Sequence, residues 1–391
     1  MQYNASVKRS INLRITFFGT SLLLMASLVS AKDTRYRAYV GTYTDTDSQG
    51  IYAFTFDPAT GETGTVELSA ETPSPSFLVA NSAASYLYAA NELDILDGNM
   101  TGGVSVFAIN GTSGKLKELQ RASSAGAGPA HLSLDKTGRY LLVANYDGGN
   151  FAVFPVGTDG KLGARTAFIQ NAGSSVNKDR QKSPHAHEIL GSPDGQWVLV
   201  ADLGTDQLLV YRFDSSDGTL TPNKPAYYKV KPGSGPRHFA FAPSGKYVYL
   251  TNEMASTVDV LAFDPEAGKL KHEQTVSTLS AESKGENTTA EIAVDAAGKT
   301  LYVSNRGDDS IAVFSIAANT GKLTFSQRVA TGGKEPRHFT LDPTGKWLFA
   351  ENQNSGTINL FAVDASNGNL TATTHTVKVT SPVCVVLVPI P

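Results

Sequence analysis

Seven short stretches of the chain alternate apolar with polar or small residues: "GIYAFTFD", "GGVSVFAI", "NFAVFPV", "QLLVYRFD", "TVDVLAFD", "SIAVFSI" and "TINLFAVD". Period-two alternation is the pattern of a β-strand whose two faces meet different surroundings. Each stretch follows a second apolar run: "RAYVGTYT", "YLYAANEL", "YLLVANYD", "WVLVADLG", "YVYLTNEM", "LYVSNRGD" and "WLFAENQN". Aligned on Thr42, Asn91, Asn145, Asp202, Asn252, Asn305 and Asn352, these runs recur at steps of 49, 54, 57, 50, 53 and 47 residues. All but the first follow a short turn, such as "DKTGR", "APSGK" or "DPTGK", that closes a hairpin with a preceding strand. A Gly-containing turn and a fourth strand, often opening "GKL" or "GNL", complete each unit. Seven four-stranded units with a period near 50 predict an all-β, seven-bladed β-propeller.

The two ends of the chain support that reading. The first unit lacks its opening strand, whereas "SPVCVVLVPI" at the C-terminus is an opening strand with nothing after it. Pairing the two closes the ring and removes its open edges. A propeller domain over 34–391 is expected. Before it, Lys8, Arg9 and Arg14 precede an apolar run from Ile15 to Val29, and "VSA" ends at Ala31. Residues 1–31 therefore read as a signal peptide, with an uncleaved anchor as the alternative, and the mature chain is expected in the periplasm or medium with no membrane span.

Composition narrows the function. With 36 Gly, 18 Pro and 41% hydrophobic residues, the chain suits a large β core. Its net charge is −3 without a basic stripe, so it carries no electrostatic footprint for nucleic acid. The lone Cys384 has no partner for an internal disulfide, and in "PVCVVLVP" it reads as a buried thiol. No phosphate-cradling loop, dinucleotide fingerprint or Gly-x-Ser-x-Gly elbow is present.

The repeat register locates the chemistry. In the unit with Gly245, Arg237 lies eight residues before that glycine and Glu253 eight after. A regular hairpin would set them opposite each other at the mouth of the central channel. Extending the register gives a first ring of Ser76, Ala130, His187, Arg237, Ala290, Arg337 and Val383, and a second of Tyr43, Glu92, Tyr146, Leu203, Glu253, Arg306 and Gln353. Cationic residues gather in consecutive blades. Such a one-sided arc suits an anionic or oxygen-rich small molecule.

His131, His238, His338 and Glu188 share one repeat position, which points to structural hydrogen bonding between blades. The repeated Asn, Asp or Thr reads as a backbone cap. His187 stands instead in the arginine register, within "PHAHE", where His185 is expected to point the same way. Two imidazoles and a carboxylate there invite a metal, but the neighbouring arginines oppose a cation, so no metal and no cofactor are expected. Long connections on the same rim, including "QNAGSSVNKDRQKSPHA", are expected to carry specificity.

From about Thr34 to the end, the chain resembles the seven-bladed propeller lactonases, the family of propeller-type 6-phosphogluconolactonases and carboxy-cis,cis-muconate cyclases. The resemblance rests on "GTYT…GIYAFTFD", "PHAHEILGSPDGQWVLVADLG", "GPRHFAFAPSGKYVYLTNE" and "LYVSNRG". It implies a catalytic set at His187, Arg237, Glu253 and Arg306, which the two rings also select. The expected activity is metal-independent hydrolysis of a small-molecule sugar lactone, with an exported location favouring an unphosphorylated aldonolactone. His187 or Glu253 would be the base, and His185, Arg337, Glu92, Tyr146 and Gln353 would surround the substrate, Arg337 being the cation left for a phosphate. A lactone-forming cyclase using the same residues remains open. So does a non-catalytic exported propeller, since "YLTN" and "YVSN" are similar to surface-layer propeller repeats.

Overall fold

The computed structural model describes residues 34–390, so the signal-peptide reading of residues 1–31 falls outside the described residues. It contains seven antiparallel sheets of four strands each. Numbered from the first complete sheet, blades 1 to 6 span residues 75–123, 129–170, 186–229, 236–277, 288–330 and 336–378. Blade 7 is built from both ends: the strand Pro382–Pro389 pairs with Tyr36–Thr42, with Tyr39 opposite Val386. The expected closure is present.

Strand alternation turns out to serve two cores rather than a core and the solvent. In the strand Gln207–Asp214, Leu209, Tyr211 and Phe213 enter the gap toward blade 2, while Leu208 and Val210 enter the gap toward blade 4. The other gaps are filled the same way, so the core is a ring of apolar layers. Only the outermost strands show water on one face, as in Thr219–Lys229.

The glycine turns tie blades together. Gly268 has φ +63°, and a Cβ there would stand 2.6 Å from the Trp197 ring of the preceding blade. Trp197 Nε1 donates to Pro265 O at 2.8 Å in the same turn. Gly268→Ala is expected to lower stability by about 1–3 kcal/mol through left-handed strain and overpacking, leaving turnover intact. Urea unfolding and an assay on one preparation check this.

One register expectation is corrected. The inner and second strands do not pair regularly at the channel mouth: Pro236 pairs with Asn252 and Phe239 with Leu250, so Arg237 and His238 bulge from the ladder. Glu253 lies one residue beyond the last pair, its N–H bonded to Gly235 O at 2.7 Å. The same irregularity recurs in every blade and leaves out Ser76, Ala130, His187, Ala290, Arg337 and Val383 in turn. A bulge frees its residue from the ladder and re-aims the side chain. In five blades the residue before it is proline, which has no N–H to give.

Candidate active site

The bulges deliver the first ring to the channel mouth. Six of its seven residues line one recess with Phe77, Glu92, His238 and His338, and the accessible volume of about 10 Å³ is that of a single water. A larger groove of about 580 Å³ between blades 6 and 7 touches the rings only at Gln353. Polar atoms without partners gather at the recess: Ser76 Oγ, His187 Nδ1, Arg237 Nε and His238 Nε2, with Arg306 Nε close by through the carboxylate that Arg306 shares with Arg237. Unpaired buried polar atoms are rare in folded proteins, and four of them at one recess make the mouth the candidate site.

Glu253 is the hub. Arg237 Nη1 reaches its Oε2 at 2.7 Å, Arg306 Nη2 the same oxygen at 3.2 Å, and Arg180 Nη2 its Oε1 at 2.9 Å. Burial alone would raise the Glu253 carboxyl, but Arg306, Arg237 and Arg180 overcome it and hold it well below the ordinary range. A carboxylate so held is a poor proton acceptor and a good anchor for arginines. Arg306 is also fixed by Thr289 O at 3.2 Å; burial and then Arg237 bring its guanidinium down to about 10, still protonated at neutral pH.

Arg180 is the residue the repeat could not reveal, because it stands in an insertion with no register. The loop is nonetheless built. Asn177 Oδ1 accepts from the N–H groups of Asp179 and Arg180, both at 3.0 Å, and the buried Gln181 donates to Leu203 O at 2.8 Å. This turn presents the half-exposed Arg180 to Glu253 and to the Tyr146 hydroxyl at 3.1 Å. The unusual length of the connection was its only signal.

The remaining expected residues divide. His187 is buried in the recess, and burial, then Arg237, His238, Arg337 and Arg306, push its pKa well below 6.5, so it is neutral at pH 7. Arg337 lies over the Tyr43 ring at 5.2 Å and 4.0 Å from Glu92, which accepts from the Tyr43 hydroxyl at 2.8 Å. Tyr146 meets the edge of His187 at a centroid distance of 5.4 Å and stacks on His185 at 4.5 Å. His187, Arg237, Arg337 and Glu92 line the recess; Glu253 and Arg306 reach it only through Arg237, and His185, Tyr146 and Gln353 do not line it.

Beneath the mouth, the shared repeat position bonds across blades: His131 to Glu188 at 3.4 Å, His238 to Glu291 at 2.8 Å, and His338 to Glu291 at 3.4 Å; within its own blade His338 also meets Glu351 at 3.1 Å. Among the described residues, no three His, Cys, Asp or Glu side chains converge with the geometry of a metal centre. Cys384 is buried, and burial pushes its thiol far up, which removes it as a nucleophile.

A propeller family described as a seven-bladed β-propeller lactonase matches residues 37–387. The 6-phosphogluconolactonase of Bacillus subtilis is 37% identical over 306 residues, covering 78% of this chain and 85% of that protein. A 6-phosphogluconolactonase of Formosa agariphila is 33% identical over 309 residues, covering 78% of this chain and 85% of that protein. The solved structure of a periplasmic gluconolactonase from Pseudomonas aeruginosa superposes with a TM-score of 0.85 at 33% identity, covering 91% of this chain and 100% of that one.

Proposed function

The chain belongs to the family of seven-bladed β-propeller lactonases, and from that premise we infer that it is an enzyme opening a sugar lactone by hydrolysis. The observation that carries the site assignment is the pair of buried arginines, Arg237 and Arg306, sharing one carboxylate beside a neutral imidazole. Ester hydrolysis develops negative charge on the carbonyl oxygen, and preorganised guanidiniums stabilise that charge where water is excluded. Arg237 and Arg306 take this role. Glu253 orients them, Arg180 closes the outer side, and His187 holds the attacking water through its neutral ring.

Our reading of the substrate is a polyhydroxy lactone without phosphate. Arg337 is already engaged by Tyr43 and Glu92, and further carboxylates stand near Glu92. Burial, then Asp94 and Glu92, raise the Asp147 carboxyl. Carboxylates and Tyr146 suit sugar hydroxyls and repel a phosphate dianion. The basic and then apolar start of the chain fits export to where unphosphorylated aldonolactones occur.

Assays with δ-gluconolactone, 6-phosphogluconolactone, γ-lactones and carboxymuconate test this. The unphosphorylated δ-lactone is expected to be turned over at least as well as its phosphorylated form. Arg337→Ala should weaken both to a similar degree, by about 10–150-fold for a charge-assisted contact. A tenfold preference for the phosphorylated lactone, with the Arg337→Ala loss confined to it, would return Arg337 to a phosphate site. Turnover of carboxymuconate alone would replace hydrolysis by cyclisation.

A further inference from the structure

A neutral imidazole among three guanidiniums can hold a water, but it is a poor place to leave a proton. His187 has that environment, with Arg237, Arg306 and Arg337 all disfavouring its imidazolium and no carboxylate bonded to it. The adjoining imidazole is placed differently. His238 lines the same recess, its ring centroid 4.9 Å from that of His187. Its Nδ1 lies 2.8 Å from Glu291 Oε2. A carboxylate only accepts, so Nδ1 carries the hydrogen and Nε2 keeps its lone pair. That Nε2 is buried and has no partner.

We propose that His238, oriented by Glu291, is the proton acceptor for the attacking water, with His187 holding that water in place. The proposal rests on the lactonase reading above. It assigns chemistry to a repeat position whose other histidines are structural. As the water oxygen bonds to the lactone carbonyl carbon, one of its O–H bonds breaks and the proton moves to His238 Nε2. The carbonyl π pair moves onto the oxygen held by Arg237 and Arg306. When the carbonyl re-forms, the ring C–O bond breaks and the departing alkoxide takes the proton back from Nε2. The hydroxy acid then ionises into solvent, and His238 is neutral again.

The surroundings of His238 suit this cycle. Glu291 of blade 5 faces it, and His338 of blade 6 approaches the same carboxylate oxygen, its Nε2 3.4 Å from Oε2. His131 of blade 2 lies 5.6 Å away and Phe77 of blade 1 lies 6.3 Å away, centroid to centroid; Arg237 adjoins it on its own strand. Burial would raise Glu291, but His338 and His238 overcome it and bring it down to about 2, so it is ionised throughout the working range. Burial in turn holds the His238 pKa below 6.5, against the pull of Glu291, leaving the ring unprotonated at neutral pH. This is the arrangement in which a buried carboxylate fixes the tautomer of an imidazole base and steadies the imidazolium that forms.

The test uses the mature chain with δ-gluconolactone and follows kcat, KM and the pH profile. His238→Gln is expected to lower kcat by about 10²–10⁴ with KM changed less than threefold, the usual loss for a general base. Hydroxylamine, which attacks without base assistance, should restore lactone opening in this variant. Glu291→Gln should lower the kcat plateau and move its acid limb to lower pH by about one unit, because the imidazolium loses its counter-charge. His131→Gln occupies the same repeat position outside the recess, and it should lower the melting temperature without moving the profile. Wild-type kcat and an unmoved acid limb in both Glu291→Gln and His238→Gln would make the pair structural and overturn the proposal. Hydroxylamine rescue of His187→Ala but not of His238→Gln would give the role to His187. A wild type that hydrolyses no lactone overturns the lactonase reading, and the proposal with it.

Discussion

Glu253→Ala is expected to lose about 3–5 kcal/mol of stability together with activity, because it strands guanidiniums that were paired in a buried site. Glu253 is 2% exposed and shared by Arg180, Arg237 and Arg306. Its removal leaves two of them buried with no carboxylate at hydrogen-bond distance. Glu253→Gln keeps the volume and tests the charge alone; it should also unfold at lower urea concentration than wild type. Restoring one balance should soften the loss, so the double variant Glu253→Ala with Arg237→Ala should be less unstable than the sum of the two singles. The pH dependence has a definite sign. The folded-state pKa of Glu253 is depressed, so its contribution is present above the unfolded value of about 4.3 and is lost as pH falls through the folded value. Wild type should therefore lose part of its stability below about pH 4, and that part of the slope should be absent in Glu253→Gln. Equal urea midpoints for Glu253→Gln and wild type at pH 7, with activity alone lost, would instead make Glu253 a chemical participant.

Arg237→Ala should reduce kcat by about 10²–10³, the range for removing one donor to a developing oxyanion. Arg237 leaves the ladder at a bulge, meets Glu253 at 2.7 Å, and keeps Nε unpartnered beside the recess. Arg237→Lys should recover less than tenfold, since an ammonium cannot both hold Glu253 and present a second fixed donor. The expected split is a loss in kcat with KM for δ-gluconolactone changed only a few-fold. A loss confined to KM would assign Arg237 to ground-state binding and move the oxyanion role to Arg306.

The architecture was legible because it rests on short-range pattern. Period-two alternation, glycine turns and a step near 50 residues report which strands form and which neighbours they pair with. The unpaired first and last strands report closure. The same register placed His187, Arg237, Glu253 and Arg306 at one end of the channel, since each repeat carries its residue to an equivalent height. Contacts between repeats were not legible. Regular pairing set Arg237 opposite Glu253, yet in the structure Glu253 stands opposite Gly235, two residues earlier, and the two side chains meet by reaching along the rim. Arg180 arrives from an insertion whose course depends on Asn177 and Gln181 folding back onto blade 3.

His238 read as one of three equivalent histidines; what sets it apart is that it lines the recess with Nε2 unpartnered and Nδ1 2.8 Å from Glu291, whereas His131 stands outside the recess and both ring nitrogens of His338 face carboxylates. The chain alone determined the number of blades, how the ring closes, and which side of the mouth is cationic, because each follows from the count and spacing of the repeats along the sequence. The sharing of one carboxylate by three arginines, the single-water recess and the pairing of His238 with Glu291 were decided by ring closure. Closure sets the distance between side chains on different blades, and no spacing along the chain encodes that distance.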